Sequence, residues 1–165
     1  VRGLTLREVE GLFAVAGALE ALAGEQACEG ITAEELEAMA ALHQRMRAAY
    51  DRRDRAAYYD MNRRIHEGIV AATRNPVLAT QYAVVNARIR RTRFASDMTE
   101  EIWSRAMAEH EGMLNALQRR DPVAMGGLLK THLKHKSEAI IRAMREEEAA
   151  AASRATKRRR ATAVS

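Results

Sequence analysis

Residues 109–136 read EHEGMLNALQRRDPVAMGGLLKTHLKHK. Before the Asp121-Pro122 pair, Trp103, Ala106, His110, Met113 and Leu117 fall on one helical face; after it, Leu129, His132 and Leu133 share another. Asp is a good N-cap and Pro suits the first helical position, so the pair marks a sharp turn between two helices. His110 lies eleven residues before Asp121 and His132 ten after Pro122. At about 1.5 Å per residue, both stand about 15 Å from the turn. In an antiparallel hairpin the two imidazoles are level, each interrupting an apolar stripe.

A third histidine sits in the same kind of position. His66 follows Asn62 by four residues, so the two share a helical face, which Tyr59 and Ile69 extend inward. Three imidazoles and one carboxamide oxygen suit a divalent transition metal such as zinc, nickel, cobalt or copper. The plain alternative is three buried, hydrogen-bonded histidines with no ion.

Working outward, the spacing predicts an all-α protein: an antiparallel bundle of about six helices. The first covers roughly Thr5 to Cys28 on the stripe Leu6, Val9, Phe13, Ala16, Leu19 and Ala23, and Gly30 ends it. Thr32 with Glu35 is a capping box for the second, which buries Leu36, Met39, Leu42 and Met46 and runs to about Arg52. Asp54 caps the third, to about Thr73. Asn75-Pro76 starts the fourth, carried inward by Leu78, Tyr82, Val85 and Ile89 and ended near Ser96-Asp97. The fifth follows a cap at Asp97 or Thr99, and the sixth runs from Pro122 to about Glu148, with Gly126-Gly127 marking close packing inside it. With 4% aromatics and two prolines, the composition favours helix over sheet. No 20–50-residue period repeats, so a solenoid is not expected.

From Ala149 the apolar pattern fades, and 149–165 reads as a basic tail of frayed helix or disorder. Lys157-Arg158-Arg159-Arg160 supplies most of the net charge of +5, so the basic balance says little about the body. Such a tail could touch nucleic acid by charge alone, but no aromatic interleaving or winged-helix pattern accompanies it. Cys28 is the one cysteine, so no intrachain disulfide can form and a reducing compartment is the default. No apolar run approaches the roughly 20 residues of a membrane span, and no signal-peptide pattern is present. A cytoplasmic location is expected. Arg88, Arg90, Arg91 and Arg93 form a basic run that complements a helix C-terminus, or turns one guanidinium inward to an anion. Arg88 and Arg90 are candidate effector contacts, as is His135, one turn beyond His132. His43 reads as a surface or rim residue.

The order of motifs resembles a known family. LREVEGLFAVAGALEALAGEQA at 6–27, RRDRAAYYDMNRRIHEGIVAATRNPVL at 52–78, EHEGMLNALQRRDPVAM at 109–125 and LLKTHLKHK at 128–136 are similar to segments of the FCD domain. That is the ligand-binding C-terminal domain of the FadR subfamily of GntR transcription regulators. The resemblance spans about Leu4 to Arg145. It implies a helical bundle whose pocket holds a divalent metal, zinc or nickel foremost, on Asn62, His66, His110 and His132. Asn62 stands where the family usually has Asp, and Ala16-Gly17 where the first helix often carries Arg. The resemblance further implies a small organic-acid effector, a homodimer, and DNA binding through a winged helix-turn-helix that precedes this domain and is absent from this chain.

The expected organisation is an effector-binding and dimerisation domain over 1–148 followed by the tail. The expected role is sensing within a transcription regulator, repression being the commoner family behaviour. Two other classes stay open. A metal-dependent hydrolase would share the three-histidine set but needs a general base, and Glu67 and Glu109, next to ligand positions, read as turned to other faces. A metal-free structural dimer is the other.

Overall fold

The computed structural model describes residues 4–91 and 99–162, without the side chains of Arg91 and residues 156–162. The expected end of the fourth helix at Ser96-Asp97, and Arg93, lie outside the described residues, as do the side chains of Lys157–Arg160. Six helices and no strands make up the described residues: α1 (Leu6–Gly30), α2 (Ala33–Asp51), α3 (Arg55–Ala72), α4 (Pro76–Arg91), α5 (Glu100–Gln118) and α6 (Pro122–Thr162). No helix among them is long and apolar enough to cross a membrane.

The starts are set by short polar side chains. Thr5 with Glu8 and Thr32 with Glu35 form full capping boxes on α1 and α2. Asp54, Asn75, Thr99 and Asp121 each accept a backbone N–H from the first turn of the helix that follows. α1 ends at Gly30 as expected, and α2 and α3 end within a residue of Arg52 and Thr73, but not by a left-handed glycine. Gly30 has no positive φ. It is small for another reason, since a Cβ there would lie 2.6 Å from the backbone oxygen of Ala72 at the end of α3. The left-handed positions belong instead to Arg53, Arg74 and Arg120. At Arg120 the N–H bonds Leu117 and that of Asp121 bonds Ala116, a Schellman closure of α5. The Arg120 guanidinium then donates to the carbonyls of Cys28 (3.0 Å) and Ile31 (2.8 Å). The turn between α5 and α6 is thereby tied to the open end of α1.

α1 is central, packing on α6 above all and also on α4, α3 and α5, while α2 packs on α3 and α5. Gly24 lets α6 approach closely, because a Cβ there would meet Leu129 and Met125. Gly126 faces α1 at Glu25 and Ala21, whereas Gly127 has open space beside it. The pair is therefore half a packing device. α6 stays helical to Thr162, beyond the Glu148 limit set by its apolar pattern. Among the described side chains Met144 is its last buried apolar one, and the stretch beyond is rich in alanine, the best helix former.

The apolar interior is two clusters, not one. Val9, Leu12, Phe13 and Ala16 of α1 join Leu133, Ile140 and Met144 of α6 at one end. Ala23 and Ala27 of α1 and Met125 and Leu129 of α6 join the larger cluster, with Ile65, Trp103 and Met113. Glu20 on α1 and His132 on α6 fall in the gap. The seam of the bundle is polar.

The glycines give a test in urea unfolding. Gly30→Ala presses a Cβ on backbone that cannot rotate away and is expected to cost about 1–3 kcal/mol. Gly127→Ala meets nothing and is expected to stabilise by about 0.5–1 kcal/mol. Equal effects at the two sites would contradict this packing.

Candidate metal centre

His66 on α3, His110 on α5 and His132 on α6 meet at the seam, 6%, 0% and 5% exposed. Their ring centroids lie 4.8 Å apart for His110 and His132, 5.2 Å for His66 and His110, and 5.5 Å for His66 and His132. The short His110–His132 distance is what equal height across the hairpin predicts. One ligand atom from each ring lies within 4.8 Å of the other two, so the three can hold a metal ion.

Each ring is oriented by a neighbour. The Nδ1–H of His66 donates to Oε2 of Glu20 at 2.6 Å. The Nδ1–H of His132 donates to Oε2 of Glu109, also at 2.6 Å. A carboxylate only accepts, so both Nδ1 atoms carry the proton and both Nε2 atoms keep a lone pair. Carboxylate–histidine couples of this kind orient imidazoles toward metals and raise their basicity. His110 differs, with Nε2 2.8 Å from Oδ1 of Asn62 and Nδ1 buried without a partner. Two atoms with lone pairs that face each other so closely need a proton between them, or a cation in its place. Asn62 thus turns its oxygen to His110.

Burial disfavours the charged form of two of the rings, His110 and His132. Burial holds His110 well below its ordinary pKa of 6.5, and His132, His66, His43 and Lys136 push the same way. Burial also lowers His132, although Glu109 opposes it. For Glu20, burial pushes the carboxyl up, but the charge and hydrogen bond of His66, helped by His132 and Lys136, leave it lowered. Glu109 is lowered likewise, with burial overcome by hydrogen bonds to His132 and His135. Imidazoles hydrogen-bonded to carboxylates suit a divalent, borderline ion.

A cavity of about 350 Å³ opens beside the histidines. His66, His132, Asn62 and Glu20 line its inner end, and Phe13, Tyr82 and Leu133 are among its apolar walls. Of the candidate effector contacts, Arg90 lines this cavity, held near Glu67 at 3.7 Å. Arg88 is exposed and His135 is turned to Glu109, so neither lines it. Their helical phase carries them past the opening. Lys136 lines it instead. It keeps solvent access and forms none of the ion pairs among the described residues, yet crowding by protein lowers its ammonium pKa against the pull of Glu20.

Two residues depart from the sequence reading, and a third, Glu20, was not singled out by it. Glu109 is not turned away, because its long side chain bridges the groove between α5 and α6 and accepts from both His132 and His135. His43 is not at the rim: it is 4% exposed and in ring contact with His110. It lies four residues after Met39 and three before Met46, on the buried stripe. Glu20 was legible in the same way, four residues after Ala16 and three before Ala23.

The FCD domain model matches residues 11–135. The fold is similar to that of E. coli McbR/YncC, with a TM-score of 0.78 over 86% of this chain and 72% of that one, at 16% identity. At that identity the likeness is one of fold. No protein of curated function matches the sequence.

A pH series on metal-stripped protein tests the electrostatics. His43, His110 and His132 are held below 6.5 when folded, so on acidification the unfolded chain takes up protons first. Between about pH 7 and about pH 5 stability should therefore fall, and below about 4.5 the lowered Glu20 and Glu109 add to the loss. The urea midpoint should drop steadily over that range, and His110→Leu should flatten the drop. A wild-type midpoint that is flat or rises on acidification would contradict buried neutral imidazoles.

Proposed function

This chain belongs to the FCD domain family of GntR-type transcription regulators, and from that premise we propose that it is a metal-dependent sensing and dimerisation domain. Asn62, His66, His110 and His132 would hold a divalent transition ion, zinc or nickel foremost. A small organic acid would enter the adjoining cavity. The observation that carries the reading is the set of three buried histidines, two of them locked by ionised carboxylates, at the wall of a cavity large enough for a small metabolite.

When bound, the ion supplies a Lewis-acidic position for an anionic oxygen. The chain's own residues do the rest. Glu20 and Glu109 fix the two rings that line the cavity. Lys136 and Arg90 offer positive charge along the wall, Lys136 without a competing ion pair. Phe13, Tyr82 and Leu133 supply apolar contact. Arg88 and His135 have no place in this binding scheme.

The domain would work as a homodimer. DNA would be gripped by a winged helix-turn-helix outside this chain, in the cytoplasm, most simply as a repressor. An acid that favours one dimer geometry shifts the population by its differential affinity. Sensing fits these residues better than hydrolysis. Glu20 and Glu109 are the carboxylates nearest the histidines, and both are committed to Nδ1–H groups. Neither is free to serve as a general base.

Protein purified without a nickel column should carry about one divalent transition ion per chain by elemental analysis. Chelation should lower the melting temperature by roughly 5–10 °C, and zinc or nickel should restore it. In the loaded protein, some member of a panel of two- to six-carbon mono-, di- and hydroxycarboxylates should raise it further. Lys136→Ala should lose that rise but keep the metal effect. No response to chelator or to added ion would leave the metal-free dimer as the better reading.

A further inference from the structure

His43 is the buried histidine that the proposed ligand set does not use. Its Nδ1 lies 2.9 Å from the carbonyl oxygen of Met39, one turn back on α2. A carbonyl only accepts, so Nδ1 carries the proton and Nε2 holds a lone pair. That Nε2 is buried and unpartnered. The neighbouring ring is His110, with centroids 5.9 Å apart and planes at 57°. His110 too has a buried, unpartnered nitrogen, Nδ1. With Nε2–H of His110 donating to Asn62, both orphan atoms bear lone pairs and no hydrogen can join them.

One tautomer change pairs both. If a cation takes Nε2 of His110, the proton leaves that atom and a proton is carried on Nδ1; the ring stays neutral and no net proton is released. Nδ1–H then has His43 Nε2 as its acceptor. A single N–H···N bond of about 3 Å between two imidazoles sets their centroids about 5.4 Å apart, slightly inside the present 5.9 Å. We propose that His43 is a positioning residue for His110, accepting a hydrogen bond from Nδ1 once Nε2 is engaged by a metal ion. Each of the three histidines then has its own orienting partner: Glu20 for His66, Glu109 for His132 and His43 for His110. The inference rests on the metal-site reading above.

The test uses the whole chain loaded with zinc and, for its visible spectrum, cobalt. Two variants separate packing from hydrogen bonding: His43→Leu removes the acceptor, whereas His43→Gln keeps an oxygen that reaches about as far as Nε2. His43→Leu is expected to weaken zinc binding by about 10–100-fold and to alter the cobalt absorption bands. His43→Gln should recover most of both. In ¹⁵N-histidine NMR of the wild type, the His110 proton should move from Nε2 to Nδ1 on zinc addition. Wild-type affinity and spectrum in His43→Leu would overturn the proposal, as would a His110 proton that stays on Nε2 in the zinc form. If His43→Leu does not fold, the wild-type NMR and His43→Gln still decide. Wild-type protein that binds no zinc would sink the metal site itself. Zinc binding lost in His66→Ala but unchanged in His43→Leu would sink only the role of His43.

Discussion

Glu20 and Glu109 can stay ionised inside a helical bundle because each accepts a short hydrogen bond from a histidine ring. A buried carboxylate without such a donor would take up a proton or unfold its surroundings. The histidines gain in return, since the carboxylates fix which nitrogen carries the proton. This exchange lets a polar layer run through the seam between two apolar clusters. The layer draws on α1, α3, α5 and α6, so their relative heights are tied to it.

The hairpin is the framework for that layer. Asp121 and Pro122 start α6, the left-handed Arg120 closes α5, and its guanidinium anchors the turn to the end of α1. With the turn fixed at one end, helical rise alone makes His110 and His132 level. Gly24 lets α1 and α6 approach closely enough for Glu20 to share that level. Small residues and a capped turn do the placing, and the chemistry-bearing residues ride on them.

Much of this was legible in the chain. The helix starts follow from single polar residues whose local bonds do not depend on the fold, and the histidine pair follows from counting residues to a turn. What escaped was anything that needed a second helix. Glu109 sits beside His110 in sequence, and periodicity aims it elsewhere. A flexible glutamate spans the groove to α6, and no one-helix pattern carries that reach. His43 and Glu20 were on apolar stripes all along, but a lone polar residue on such a stripe looks like its ragged edge until the partner ring is in place. Lys136 and Arg88 show the same limit. Whether a cation lines a cavity depends on where neighbouring helices leave a gap.

The charge of the layer bears on what it can bind. Asn62 brings no charge, so the four groups of the proposed ligand set would be neutral together. Two nearby carboxylates, Glu20 and Glu109, would balance a divalent ion without touching it. Asp60, Arg63 and Arg90 of the wall are paired among themselves and with Glu67. Lys136 is then the charge left over, at the cavity lining and within electrostatic reach of Glu20, His110 and His132. With the proposed ion in place, such a site would be complete in charge only when one anionic group joined it. On the proposed reading that would favour a metabolite with a monoanionic end, set between the histidines and Lys136.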